Sequence, residues 1–333
     1  MHLARFPRQH FAHLPTPLEL MPNLTKLLGG PNLYIKRDDC TGLATGGNKT
    51  RKLEFLIGDA LAEGADTLVT HGAVQSNHVR QTAAAACRYG LACEAFLERR
   101  VPGYGERYEI TGNVLFGRLF EAKLHYLPDG ADMDAACVER AEAIKARGGK
   151  PYVIPGGGSN TVGALGYVNA GLELLQQAND RSLRIDCVVH GTGSAGTQSG
   201  LVAGLEGANS GIDVLGICVR SPKEPQEAKV HGLASAVADK LGIKGGIDKN
   251  RVIANGDYVG EGYGMPTEGT IEAIDLLARH EGILLDPVYS AKGMAGLIDQ
   301  VKKGAFGKDD NVVFLHTGGA MALFAYEGRW PTT

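Results

Sequence analysis

Asp186-Cys187-Val188-Val189-His190-Gly191-Thr192-Gly193-Ser194-Ala195-Gly196-Thr197 is the stretch on which the reading of the chain turns. A short apolar, β-branched run ends in a glycine loop, the order expected where a buried parallel strand hands over to a helix. Gly191, Gly193 and Gly196 fit the G-x-G-x-x-G spacing of a dinucleotide-binding turn, and Arg220 closes the next strand-like run, where a 2′-phosphate partner would sit. A nicotinamide-dependent oxidoreductase is therefore one reading. Ser194 and Thr197 favour another, because they add hydroxyls to a cradle of backbone amides. That donor set suits a terminal phosphate monoester better than a bridging pyrophosphate.

Outward from this loop, strand-like and helix-like segments alternate. Strands are expected at Leu33–Arg37, Thr67–Thr70, Ala92–Leu97, Lys123–Leu127, Pro151–Ile154, Asp186–His190, Val214–Val219 and Val312–Leu315, with helices at Lys49–Glu63, Asn77–Tyr89 and Asp134–Arg147. Such alternation implies an α/β fold with mostly parallel strands and helices on both faces. Glycines at Pro155-Gly156-Gly157-Gly158 mark a boundary between two closely packed units rather than a long linker.

The chain has 333 residues, 34 Lys+Arg against 37 Asp+Glu, and a formal charge of −3. A near-neutral balance without a basic cluster argues against nucleic-acid binding. No apolar run reaches the 18 or so residues of a membrane span, and the first 25 residues lack a signal-peptide core, so a cytoplasmic location is expected. Six scattered cysteines form no ligand-spaced cluster, so no metal is expected. The 47 glycines are about twice the usual share, which places them in tight loops that approach a ligand.

Three further loops carry chemistry. Thr41 to Thr50 nearly matches a Walker loop, but Asn48 separates Gly47 from Lys49, which breaks the geometry that loop needs. An isolated lysine there reads first as a solvated side chain. At a helix start, however, the positive helix end would favour its neutral, nucleophilic form. In His71-Gly72-Ala73-Val74-Gln75-Ser76-Asn77-His78 a cap needs one polar residue, and Gln75 to His78 supply four. The third comprises two stretches, Asp286-Pro287-Val288-Tyr289-Ser290-Ala291-Lys292 and His316-Thr317-Gly318-Gly319, where Tyr289 and His316 taken singly read as packed residues.

In order, Gly46-Gly47-Asn48-Lys49-Thr50-Arg51-Lys52-Leu53-Glu54, Gln75-Ser76-Asn77-His78, Thr192 to Thr197, Asp286 to Tyr289 and His316 to Gly319 resemble one family over essentially the whole chain. It is the aminocyclopropane-carboxylate deaminase and D-cysteine desulfhydrase family of pyridoxal-phosphate enzymes. The resemblance implies the tryptophan-synthase β-subunit fold (fold type II), with two open, mostly parallel sheets flanked by helices. Residues 1–55 with 160–333 would form the larger, cofactor-binding domain, and 56–159 the smaller one.

The resemblance also assigns roles. Lys49 would bond pyridoxal 5′-phosphate covalently, and Gly193, Ser194, Ala195, Gly196 and Thr197 would hold its phosphate. Asn77 would meet the ring hydroxyl, Ser290 or Thr317 the ring nitrogen, Ser76 the substrate carboxylate, and Tyr289 would act as acid–base or positioning group. The family's deaminases carry a glutamate directly after the tyrosine, and this chain has Ser290. A hydroxyl does not protonate the ring nitrogen, and the weaker electron sink suits β-elimination rather than ring opening.

Within the family the likeness, carried by Thr41-Gly42-Leu43, Pro155 to Asn160 and Asp286 to Lys292, runs to sulfo-lyases that release sulfite, pyruvate and ammonia from L-cysteate. Desulfhydration of D-cysteine is the alternative. A sulfonate needs charge-assisted donors, for which Arg99 and Arg100 after the strand are candidates, with Thr45 and His78 as secondary ones. A small amino-acid substrate and a homodimer or higher homo-oligomer complete the expectations.

Overall fold

The computed structural model describes residues 1–330. Its strands are β1 (Leu18–Leu20), β2 (Asn32–Arg37), β3 (Thr67–Ala73), β4 (Ala92–Arg99), β5 (Lys123–Pro128), β6 (Pro151–Ile154), β7 (Cys187–Thr192), β8 (Asp213–Cys218), β9 (Ile253–Asn255) and β10 (Asn311–His316). They form a six-stranded sheet in the order β1-β2-β10-β7-β8-β9 and a four-stranded sheet in the order β5-β4-β3-β6. The pairs are parallel except β1 with β2. The smaller sheet draws only on residues 67–154, so a stretch between two strands of the larger sheet carries a second α/β unit.

The helices are α1 (Pro22–Leu28), α2 (Lys49–Ala62), α3 (Asn77–Arg88), α4 (Glu106–Ile110), α5 (Gly112–Leu119), α6 (Met133–Lys145), α7 (Thr161–Asp180), α8 (Gly196–Glu206), α9 (Lys223–Leu241), α10 (Glu268–Glu281) and α11 (Ser290–Lys302). None is long and apolar enough to cross a membrane among the described residues. The strands read from the sequence are all present within a few residues, as are α2, α3 and α6. β1 and β9 were not anticipated, because three residues are too few to show a period of two.

Helix α2 is the part of the fold that positions the site. Ten of its residues are buried, Arg51, Lys52 and Glu54 among them. It lies so close to α7 that a side chain on Gly166 would fall 2.3 Å from the Arg51 carbonyl, so only glycine fits there. A charge buried this deeply must be paired. Glu54 accepts from Arg8 Nε at 2.9 Å and from the Phe11 and Ala12 amides. Arg51 Nε and Nη2 donate to the two oxygens of Asp38 at 2.8 Å, and Nη1 and Nη2 donate to Glu173 at 2.9 and 2.8 Å. Tyr167 donates its hydroxyl to Asp38 at 2.6 Å, and Lys36 Nζ donates to Glu173 at 2.5 Å. Lys52 alone of the three has no oppositely charged partner.

Burial by itself would raise the Asp38 and Glu173 carboxyls, but Arg51 and Lys36 hold both below the usual carboxylate range. Arg51→Met or Asp38→Asn should therefore cost about 3–5 kcal/mol, as expected when one partner of a buried ion pair is removed. Urea unfolding would show this as a lower midpoint at an unchanged slope. Both carboxyls titrate lower folded than unfolded. Their stabilisation is complete above about pH 4, the unfolded value, and is lost as the pH falls through the folded values. Asp38→Asn should accordingly flatten the acid limb of the stability curve.

Candidate active site

The loops after the carboxyl ends of β3, β4, β7, β8 and β10 open onto one cavity of about 550 Å³ between the two sheets. Strand ends of an open α/β sheet are where such a site belongs, and the volume suits a cofactor with a small substrate. Helices α2, α3 and α8 all begin at its wall, so three sets of unpaired amides and three positive helix ends face the same space.

Lys49 is the first residue of α2. The loop before it is tightly held: Thr41 Oγ1 accepts from the Gly47 amide and donates to the Gly47 carbonyl, both at 2.8 Å. Gly46 holds φ +76°, and a side chain there would overlap the Asp39 carbonyl. Asn48, which breaks the Walker spacing, instead donates from Nδ2 to Thr197 Oγ1 at 3.0 Å and so ties the lysine loop to the glycine loop after β7. Burial draws the Lys49 amine down to about 8, with the Asp286 carboxylate countering. The lowered basicity expected from a helix end is thus present, but desolvation is its main cause.

Lys52 stands one turn further on, beneath the glycine loop. Its Nζ donates to the Gly157 carbonyl at 3.1 Å and to Ser159 Oγ at 3.3 Å. Ser159 Oγ in turn meets Ser194 Oγ at 2.9 Å and accepts from the Gly196 amide at 3.2 Å. Ala195 holds φ +76°, a conformation L-residues rarely adopt, and so curls the loop into a cup ahead of α8. Burial, with Lys49 nearby, pushes the Lys52 amine well down. A buried lysine without an acid, a helix start and free hydroxyls on Ser194 and Thr197 form a donor set that calls for an anion of high charge. A phosphate monoester fits it.

On α3, Ser76 caps the helix by accepting from the Val79 amide at 3.2 Å, which leaves its own proton to donate. Asn77 Oδ1 accepts from Arg80 Nη1 at 3.1 Å and from Asn113 Nδ2 at 2.9 Å, so Nδ2 is the free end of the amide. His78 Nε2 lies 2.8 Å from Thr70 Oγ1, whose proton goes to the Ile154 carbonyl. The histidine therefore carries its proton on Nε2, and burial holds it neutral. Tyr289 meets the hydroxyl of Tyr263 at 2.7 Å, and both rings line the cavity. Burial and Tyr263 raise the Tyr289 phenol well above its ordinary value, so it is a proton carrier and not an anion at neutral pH.

The cavity thus brings together Lys49, Ser76, Asn77, His78, Arg100, Gly193, Ser194, Ala195, Thr197, Tyr289 and Thr317. Four expected residues lie outside its wall. Arg99 is half exposed and pairs with Glu109 at 2.7 Å, with its guanidinium over Tyr126, because its side chain leaves the strand on the opposite side from Arg100. Thr45 is exposed on a left-handed turn, φ +69°. Ser290 is fully buried and gives its hydroxyl proton to Asp286 Oδ1 at 2.7 Å, so Thr317 is the hydroxyl of that pair that reaches the cavity. Gly196 faces Ser159 beneath the loop.

Lys52, Arg80, Ser159 and Tyr263 were not anticipated. Two of them had a signal: Lys52 and Arg80 stand three residues after Lys49 and Asn77, on the same helix face.

The sequence profile of the family described as pyridoxal-phosphate dependent enzyme matches residues 10–318. A protein named D-cysteine desulfhydrase from Salmonella typhimurium is 48% identical over 325 residues, 98% of each chain. A solved structure described as an ACC deaminase homologue superposes with a TM-score of 0.89 at 38% identity, covering 99% of this chain and 98% of its own. A hydrogen sulfide-producing enzyme from Fusobacterium nucleatum shares the fold at 17% identity and a TM-score of 0.65, covering 94% and 97%. The chain belongs to the pyridoxal-phosphate dependent enzyme family.

Two outcomes follow for the cofactor. Covalent uptake of pyridoxal phosphate by the apo-protein should accelerate with pH, half-maximal near about 8 where Lys49 loses its proton, and be absent in Lys49→Ala. Borohydride trapping followed by peptide mapping reads this directly. Ser194→Ala and Thr197→Ala should each weaken cofactor affinity by about 1–3 kcal/mol, the loss expected for a bond to a charged group, as measured by titrating the apo-protein.

Proposed function

We propose that this pyridoxal-phosphate enzyme is a carbon–sulfur lyase that eliminates sulfide from D-cysteine to leave pyruvate and ammonia. The supporting observation is the 48% identity, over nearly all of both chains, to a protein named D-cysteine desulfhydrase, together with a cavity that has Lys49 at one helix start and the Tyr263–Tyr289 pair on its wall.

When bound, the cofactor withdraws electrons from the substrate Cα and so makes its proton removable. The residues of the chain do the rest. Ser76, with a free proton on a helix N-terminus, is placed to receive the substrate carboxylate. Lys49, with lowered basicity, and Tyr289, backed by Tyr263, are the proton carriers. Which of them takes the Cα proton follows the handedness of the substrate, and the other is left to protonate the departing sulfur. At the ring nitrogen the available group is the Thr317 hydroxyl, which accepts or shares a proton without supplying a full one. That arrangement supports elimination of a good leaving group over ring opening. The division into domains of 56–159 and the remainder belongs to the same proposal, with the cavity between them.

A second reading, elimination of sulfite from L-cysteate, is supported by the cationic rim. Arg100 lines the cavity with its guanidinium 5.1 Å above the Tyr263 ring; it pairs with Glu98, but its buried Nε has no partner. Arg220 and Lys229 line the same cavity, where His71 is held below its ordinary value by burial and meets Asp134 at 3.0 Å. Such a rim would receive a second anionic group.

Assaying D-cysteine, L-cysteine, L-cysteate and aminocyclopropane carboxylate for pyruvate, sulfide, sulfite and 2-oxobutyrate separates these readings. The highest kcat/KM is expected for D-cysteine, with sulfide and pyruvate released together; sulfite as the dominant product would reverse the order. Arg100→Ala should raise KM for L-cysteate far more than for D-cysteine, and equal effects on both would remove Arg100 from substrate recognition.

A further inference from the structure

Arg80 is 1% exposed on α3 and, unlike Arg51, has no carboxylate against it. Nη1 donates to Asn77 Oδ1 at 3.1 Å and to Asn113 Oδ1 at 2.7 Å, Nη2 donates to the Gly46 carbonyl at 2.7 Å, and Nε has no partner. Every acceptor is a neutral oxygen. A buried cation left in this state is expensive unless an anion is to be placed nearby.

The surrounding groups do not supply that anion. Asp286, ahead of α11, engages its oxygens with the amides of Val288, Tyr289 and Ser290 and with the Ser290 hydroxyl. Its charge is also the counter-charge to Lys49 at the start of α2. His78 on α3 and His316 at the end of β10 are both held low by burial and stay neutral. Among the charged groups packed around this end of the cavity, Asp286 acts on both Lys49 and Arg80, so one carboxylate faces two cations and a positive charge is left over.

Asn77 hands that charge to the cavity. Its Oδ1 is occupied by Arg80 and Asn113, which fixes Nδ2 as a donor whose amide is polarised by the guanidinium behind it. We propose that Arg80 is the counter-charge of the cofactor's ring oxygen, holding that oxygen ionised through Asn77. The proposal rests on the reading of Asn77 as the ring-oxygen donor. Arg80 is a positioning residue: it touches neither cofactor nor substrate, and it also braces the Gly46 turn that leads to Lys49.

The test is a pH titration of the visible absorbance of the holoenzyme, without substrate. Removing an opposite charge within about 4–6 Å shifts a titration by about 1–3 pH units, and one that acts through an intervening amide falls at the lower end. Arg80→Gln should therefore move the midpoint upward by about one unit or more, while Arg80→Lys, which keeps the charge and loses the forked contacts, should stay near the unsubstituted enzyme. A folded Arg80→Gln protein with an unmoved midpoint overturns the proposal. Should that variant fail to fold, Arg80→Lys decides: a retained midpoint supports the charge, and a shift as large as that of Asn77→Ala shows that only the hydrogen-bond scaffold matters and overturns it. Asn77→Ala is the separate control. If its midpoint does not move, the reading of Asn77 fails, whatever the Arg80 variants do.

Discussion

The clamp of Arg51 between Asp38 and Glu173 is the interaction on which the rest of the site depends. It stands two residues beyond Lys49, so the same helical turn that anchors α2 also sets the direction of the Lys49 amine. Asp38 follows β2 of the larger sheet and Glu173 lies on α7, and the guanidinium joins both to the helix that carries Lys49. Hydrophobic contact alone would allow α2 to slide along α7, where Gly166 leaves the surface smooth. A bidentate guanidinium with two fixed carboxylates does not.

From that anchor the electrostatics of the cavity follow. Lys52 and Arg80 are buried behind one wall and Lys49, partly exposed, stands on it, while the starts of α2, α3 and α8 add their amides. Among the described residues, the buried carboxylate with a Coulombic hold on Lys49 and Arg80 is Asp286. Folding this excess of positive charge into a low-dielectric space costs stability, and the cost is tolerated because it is offset on binding. The positions proposed for a phosphate dianion, beneath α8, and for an ionised ring oxygen, at α3, are those where this excess is met. Burial is the main cause of the lowered amines of Lys49 and Lys52, and the charge of Lys49 adds to the effect on Lys52.

Much of this was legible in the sequence, for a local reason. Lys49, Ser76 with Asn77, and Gly193 to Thr197 each sit at a strand-to-helix transition, where a few consecutive residues dictate the backbone and its ligand. Residues acting through tertiary contact were not legible in that way. Ser159 reaches the glycine loop from a turn 35 residues earlier than Ser194, and Tyr263 reaches Tyr289 from a loop with no periodicity. α7 escaped notice because it is apolar on most sides and carries Gly163, Gly166 and Gly171, which erase the one-sided pattern that marks a helix. Arg99 and Arg100 show the limit of position along a chain: one is the last residue of β4 and the other the first beyond it, Arg99 pairs with Glu109 at the surface, and Arg100 faces the cavity.

The same contrast explains why the chemistry was easier to read than the substrate. Groups that hold a cofactor are built on helix starts, and each is encoded in one short stretch. The groups proposed to meet the variable part of a substrate come instead from the ends of β4 and β8 and from α9, Arg100, Arg220 and Lys229, with His71 of β3 lining the same cavity. None of these has meaning beside its neighbours in sequence, and each acquires a role only when two separate sheets bring their strand ends together. A change at any one of them alters the charge presented to the substrate without disturbing the Arg51 clamp or the phosphate cup. Substrate preference can therefore drift while cofactor binding stays fixed, which is the expected behaviour of a site whose rim and base are held by different elements.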